Sequence, residues 1–264
     1  MPRRITRRVR SRRPTDSTSS GQAFLAGRAW SYGAAYVLSL AATAFVFGSH
    51  LAAQDRNAGG PRFVVVLDAA HGGDDGGARL SNGQQEKAYT LALNVKLRSL
   101  LMARGISVVS TRESDVMVNP DRRAEIANHA NAQACLSLHA SESGSGVHLF
   151  VSSLAPVQGT RFLPWNTAQA AWVLHSMSLA GVMNSALGHA GMSVTLGRTA
   201  LPAIDSMTCP AVAIEVAPER GANAQGDAEG PDGLDDPGYQ ARVAEALAAA
   251  LVEWRQEAMG GHQP

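Results

Sequence analysis

From Phe63 onward, short solid apolar runs alternate with longer stretches of helical period. Phe63–Leu67 is a continuous β-branched and aromatic run, as expected for a strand covered on both faces. From Glu86 to about Arg104, Leu93, Leu97, Leu100 and Leu101 share one helical face, and Gly105 is placed to end the helix. Ile106–Thr111 reads as the next strand. Asn119-Pro120-Asp121 opens a helix that runs through Ile126 to about Asn131. Ala134–Ala140 and Gly146–Val151 read as further strands. A long helix is predicted over Thr167–Leu187, with Leu174, Met177, Ala180, Met183 and Leu187 on one stripe. The apolar run Pro210–Ala217 is another strand. A Gly/Asp-rich loop from Arg220 to Pro237 leads to a last helix, with Tyr239, Val243, Leu247, Leu251 and Trp254 inward. Such alternation predicts an α/β fold, an open, mostly parallel twisted sheet with helices on both faces.

Upstream of Phe63 the pattern changes. Residues 1–28 are Arg/Ser/Thr-rich, with eight arginines against Asp16, and read as a basic disordered tail. Residues 29–54 contain no Asp, Glu, Lys or Arg and are just long enough to span a bilayer. They read as a transmembrane anchor, with a cleaved signal segment as the competing reading. The arginine-rich flank stays cytoplasmic by the positive-inside bias, so either reading exports the residues after 54. Residues 55–61 read as a short linker, 62–258 as the main folded domain and 259–264 as a tail. Because the basic tail carries about +7 of a net charge of +1, the remainder is mildly acidic. It offers no basic face for nucleic acid.

Candidate chemistry sits at the element ends. His71 closes the first strand in His-Gly-Gly, Glu86 opens the first helix, and His139 ends the Ala134–Ala140 strand. In open α/β sheets, sites form outside the carboxyl ends of the strands. Two imidazoles and one carboxylate suit a catalytic Zn²⁺, one per chain, which keeps a coordination position open. Each residue alone has a plainer reading: a solvated loop histidine, a first-turn carboxylate favoured by the helix dipole, a core histidine. On the helical period, however, Glu86 projects onto the face of Leu93 and Leu97, where an acid asks for a cation. Zinc there would polarise a carbonyl and acidify a water, and Glu215, within the Pro210–Ala217 strand, would take the proton and return it to a leaving amine. The plainer reading of Glu215 is a salt bridge to Arg112 or Arg123. Cys135 and Cys209 are too few for a disulfide framework. They form either one disulfide between neighbouring strands or two small buried side chains.

The chain resembles the zinc-dependent N-acetylmuramoyl-L-alanine amidases that cleave cell wall during daughter-cell separation. The resemblance covers about residues 63–256 and rests on separated motifs. They are Leu67-Asp68-Ala69-Ala70-His71-Gly72-Gly73 with Asp75-Gly76-Gly77-Ala78; Glu86-Lys87; Thr111-Arg112 with Asp115; Arg123 with Ala127-Asn128; Ser137-Leu138-His139-Ala140; Ser178-Leu179-Ala180; and Pro210-Ala211-Val212-Ala213-Ile214-Glu215. The resemblance implies zinc on His71, Glu86 and His139, and Glu215 as catalytic acid/base. It also implies hydrolysis of the amide joining N-acetylmuramic acid to L-alanine in peptidoglycan. The cell envelope is then the expected compartment, with peptidoglycan, the membrane and an activator protein as candidate partners. A catalytically silent peptidoglycan-binding envelope protein, or a zinc peptidase with the same ligands, is the alternative. The chain departs from the family at Ala70-His71, at His139-Ala140-Ser141 and after Glu215, where it reads Val216-Ala217-Pro218-Glu219-Arg220. That last loop would border the cleft and makes Glu219 a candidate to share the role of Glu215. Trp165, in a segment without a family counterpart, would line the cleft or cap a helix.

Overall fold

A computed structural model describes residues 62–157, 162–220 and 233–260. The basic tail, the apolar stretch 29–54 and the linker fall outside the described residues. No helix among the described residues is long and apolar enough to cross a membrane.

The strands are β1 (Val64–Ala69), β2 (Ser107–Ser110), β3 (Ala134–Ala140), β4 (Val147–Ser152), β5 (Val194–Thr199) and β6 (Ala211–Val216). The helices are α1 (Glu86–Ala103), α2 (Pro120–His129), α3 (Val173–His189), α4 (Pro202–Asp205) and α5 (Pro237–Gly260), with a 3₁₀ segment over Trp165–Ala171. The strands form one sheet in the order β2-β1-β3-β6-β4-β5. Strand alternation divides the core in two. Val65, Leu67, Leu136 and Ile214 pack with α1, α3 and α5 on one face. Val66, Cys135, Ala211 and Ala213 meet α2 and α4 on the other, through Ala124, Ala127, Ile204 and Met207.

The sheet is mostly parallel with helices on both faces, as predicted, and it contains one reversal. The sheet is mixed, because β4 runs antiparallel to β6 while the other pairings are parallel. The reversal brings the start of β4 to the carboxyl end of β6, pairing His148 with Glu215, while β3 pairs His139 with Glu215 from the other side. Asp68, Ser137 and Ala213 form the next row on the same face.

Other sequence expectations shift. The long helix over Thr167–Leu187 breaks, because Thr167 is non-helical and α3 begins at Val173. Its buried stripe is Val173, Ser176, Leu179, Ala180, Met183 and Leu187, whereas Leu174 and Met177 are 49% and 46% exposed. Ser176, a polar residue on the core side, masks the true phase. Its hydroxyl donates to Gln169 at 2.6 Å and accepts from the amide of Ala211 at 2.9 Å, which satisfies it in the interior. The strand β5 and the short helix α4 carry no strong apolar pattern, and β5 is a half-exposed edge. Cys135 and Cys209 form a disulfide that ties the start of β3 to the approach to β6. The bond lies at the opposite end of these strands from His139 and Glu215.

Candidate metal centre and active site

Beyond β1 the chain leaves the sheet at His71, a non-glycine residue with φ 60°. The left-handed region costs such a residue on the order of 1 kcal/mol, so the surroundings must hold it there. Two buried arginines do so by taking the carbonyls that the ladder no longer uses. Arg112 donates to Ala69 O at 2.8 Å and to Ala70 O at 2.9 Å. Arg123 donates to Ala69 O at 2.7 Å, to His71 O at 2.8 Å, and to the buried carboxylate of Asp68. The salt bridge from either arginine to Glu215, the plainer reading of that acid, is therefore not formed. Both are committed to the end of β1 instead.

His71, Glu86 and His139 converge. His71 Nε2 lies 3.1 Å from Glu86 Oε2, and His139 Nδ1 lies 3.0 Å from Glu86 Oε1. The two rings stand at 88° with centroids 5.6 Å apart, and the three donor atoms all lie within 4.8 Å of one another. Glu86 is 5% exposed and fixed further by the amides of Ala78 (2.9 Å) and Ala140 (3.2 Å). Gly77 permits this approach: a Cβ there would sit 2.6 Å from both Glu86 Oε2 and His71 Cδ2.

The outer nitrogen of each ring decides what the inner one presents. His71 Nδ1 lies 2.8 Å from Asp75 Oδ2, so that nitrogen carries its proton toward the carboxylate. His139 Nε2 is 3.3 Å from Ser137 Oγ, whose own proton goes to Asp68 Oδ2 at 2.8 Å. The ring therefore donates outward here too. With both protons directed outward, two lone pairs and a carboxylate face one point. Three acceptors converge stably only around a cation or added protons. The electrostatics make the same demand. Burial pushes the Glu86 carboxyl up, but bonds with His139, His71 and the Ala78 amide outweigh it and hold the group well below the usual carboxylate range. His71 is raised, first by its bond to Glu86 and against the opposing effect of burial, with Asp75 adding to the rise. Asp75 is lowered, chiefly by His71. The donor set of two imidazoles and one carboxylate fits a divalent ion such as zinc.

Glu215 stands in register with His139 on the adjacent parallel strand, so their side chains share a face. Its carboxylate is 33% exposed, and His148 Nδ1 lies 3.4 Å from it.

Residues 65–253 match the family described as N-acetylmuramoyl-L-alanine amidase. The chain belongs to that family. One relative, the N-acetylmuramoyl-L-alanine amidase AmiA of Escherichia coli K12, is 41% identical over 91 residues, 34% of this chain and 31% of that protein. The chain thus spans about a third of the length of this curated relative. Among solved structures, the catalytic domain of CwlV, an N-acetylmuramoyl-L-alanine amidase of Bacillus (Paenibacillus) polymyxa, superposes with a TM-score of 0.57 at 26% identity, over 74% of this chain and 98% of that one. The CwlD amidase of Clostridioides difficile, solved in complex with the GerS lipoprotein, shares the fold with a TM-score of 0.55 at 20% identity, over 74% and 99% of the two chains.

The rim of this amidase-family site corrects one expectation. Glu219 does not join Glu215. It accepts bonds from the amide and hydroxyl of Ser193, ahead of β5. Trp165, 65% exposed, lines a surface hollow of about 700 Å³ with Asn119, Arg122, Asn128 and Thr208, and none of the four chemical residues lies in it. The sequence alone assigns no role to Asp75, Ser137 or His148. Asp75 and Ser137 stand within the family motifs, four and two residues from the rings they orient, so their proximity in sequence is the available signal. His148 alternates with Leu149 in a strand pattern, and nothing local reveals that this strand reverses and lies beside Glu215.

Proposed function

We propose that this chain hydrolyses the amide between the lactyl group of N-acetylmuramic acid and L-alanine of the peptidoglycan stem peptide. The observation that carries the reading is the convergence of His71 Nε2 and His139 Nδ1 on the Glu86 carboxylate, at 3.1 and 3.0 Å, in a chain of this amidase family. His71 Nε2, His139 Nδ1 and the Glu86 carboxylate would hold one zinc ion. Bound there, zinc would polarise the scissile carbonyl and activate water for attack.

The remaining work falls to residues of the chain. Asp75 and Ser137 keep the ligand rings in the tautomers that binding requires. Glu215 receives a proton from the attacking water on its carboxylate and passes it to the amine nitrogen as the C–N bond breaks. Arg112 and Arg123 hold the backbone that carries His71 and so fix the ligand spacing.

Residues 62–258 would form the catalytic domain and residues 29–54 an anchor or signal that delivers it to the cell envelope. The Cys135–Cys209 disulfide supports an oxidising compartment. An activator protein is a candidate partner, by analogy with the lipoprotein bound to CwlD.

The test is product analysis of purified peptidoglycan incubated with the chain. An amidase releases intact stem peptides and leaves the glycan strands unbroken. A peptidase releases shortened peptides, and a silent binding protein releases nothing.

A further inference from the structure

We infer that His148 is a positioning residue for the proposed reaction, holding Glu215 by one oxygen and leaving the other for the reacting atoms. The inference rests on the acid/base role proposed for Glu215. Antiparallel register places the two residues directly opposite each other, and His148 Nδ1 reaches to 3.4 Å from Glu215 Oε1. The far side of the ring is also engaged, with Nε2 at 3.3 Å from the carbonyl oxygen of Ser145. A carbonyl can only accept, so Nε2 carries a proton. The contact between Nδ1 and Oε1 is then attractive when one further proton lies between them, on the imidazole or on the carboxyl. Glu215 needs that arrangement, because its work is to accept one proton and give it back.

The ring is set firmly in place. His148 has a side chain only 16% exposed. It packs over Gly144, where a Cβ would sit 2.2 Å from Cε1 and 2.7 Å from Nε2, and meets the edge of Phe150 at 6.4 Å and 84°. With Oε1 facing the His148 ring at ion-pair distance on the β4 side, Oε2 is the oxygen that the ring does not engage. A merely structural histidine would need the packing and the Ser145 bond but not the Nδ1 contact.

Two substitutions separate these roles. Glutamine places its amide nitrogen near the Nε2 position, and asparagine places its own near Nδ1. We expect zinc-loaded full-length H148Q to lose about 10-fold in kcat on a soluble muramyl-peptide, with KM within about twofold, since a misaimed acid/base forfeits part of its usual effect. H148N should recover most of that loss, and both should keep wild-type zinc content and thermal stability. In an E215Q background, H148Q should cost nothing further, because two residues acting through one group are not additive. The inference is overturned if H148Q keeps wild-type kcat, if H148N is no better than H148Q, or if the losses multiply in the double variant. Failure of the underlying reading looks different. E215Q would then retain turnover by itself, and the role of His148 would fall with it. Should H148Q not fold, H148L, which fills similar space without a ring nitrogen, is expected to give the same loss in kcat, and wild-type turnover by H148L would overturn the inference.

Discussion

Asp75 Oδ2 lies 2.8 Å from Nδ1 of His71, on the side of the ring away from Glu86. The carboxylate fixes the tautomer and so decides which nitrogen faces the point where the ligands converge. Asp75→Asn should weaken zinc binding by about 10- to 100-fold, the usual effect of losing such an orienting partner. Competition with a chelator of known affinity measures it. Activity at saturating zinc should return close to the wild-type level, which separates an orienting role from a catalytic one.

The pH dependence of stability should reverse with zinc. In the zinc-free protein His71 is raised above 6.5, first by Glu86, so its contribution is fully present below pH 6.5 and is lost as pH rises through the folded value. Glu86 is depressed from 4.5, so its contribution is present above pH 4.5 and constant across neutral pH. Zinc requires neutral imidazoles, so its stabilisation grows with pH instead. The melting-temperature gap between zinc-loaded and chelated protein should widen from about pH 5.5 to about pH 8. A gap that narrows over this window would contradict the assignment of the ligands.

Arg123 joins Asp68 to the carbonyls of Ala69 and His71 in a nearly water-free setting. Arg123→Ala leaves the carboxylate without its cation and should cost about 3–5 kcal/mol in denaturant unfolding. Arg123→Lys should not restore stability, because a single ammonium cannot reproduce the fork that reaches these partners. Full recovery by lysine would show that charge alone matters here.

The disulfide closes a separation of 74 residues, far along the strands from the ligands. Replacing Cys135 and Cys209 together with alanine should lower stability by about 2–4 kcal/mol. Zinc content and kcat at moderate temperature should be unchanged. A loss of zinc in the folded double variant would mean that the bond also sets the spacing of His139.

Much of the molecule is legible in its sequence, for reasons that vary by residue. Solid apolar runs mark β1, β3 and β6, because strands buried on both faces cannot alternate. Glu86 stands out as an acid on an apolar helical face, and the structure finds it buried between two histidines. His71 and His139 are visible as polar residues at the ends of apolar runs. The features that stay hidden depend on pairing. The reversal of β4, which brings His148 to Glu215, leaves no mark within either segment. Ser176 sits in the core through bonds to Gln169 and Ala211 that no periodicity encodes, so the apolar pattern of α3 suggests the wrong phase. Arg112 and Arg123 are plainly residues that need partners, but the carbonyls at the end of β1 that satisfy them belong to the folded chain alone.

The most direct test of the central claim is zinc content measured alongside stem-peptide release from peptidoglycan, for wild type, His71→Ala and Glu215→Gln. The account predicts one zinc per chain and release by the wild type, neither for His71→Ala, and bound zinc with release reduced at least about 100-fold for Glu215→Gln. Wild-type release by His71→Ala, or by Glu215→Gln, would contradict it.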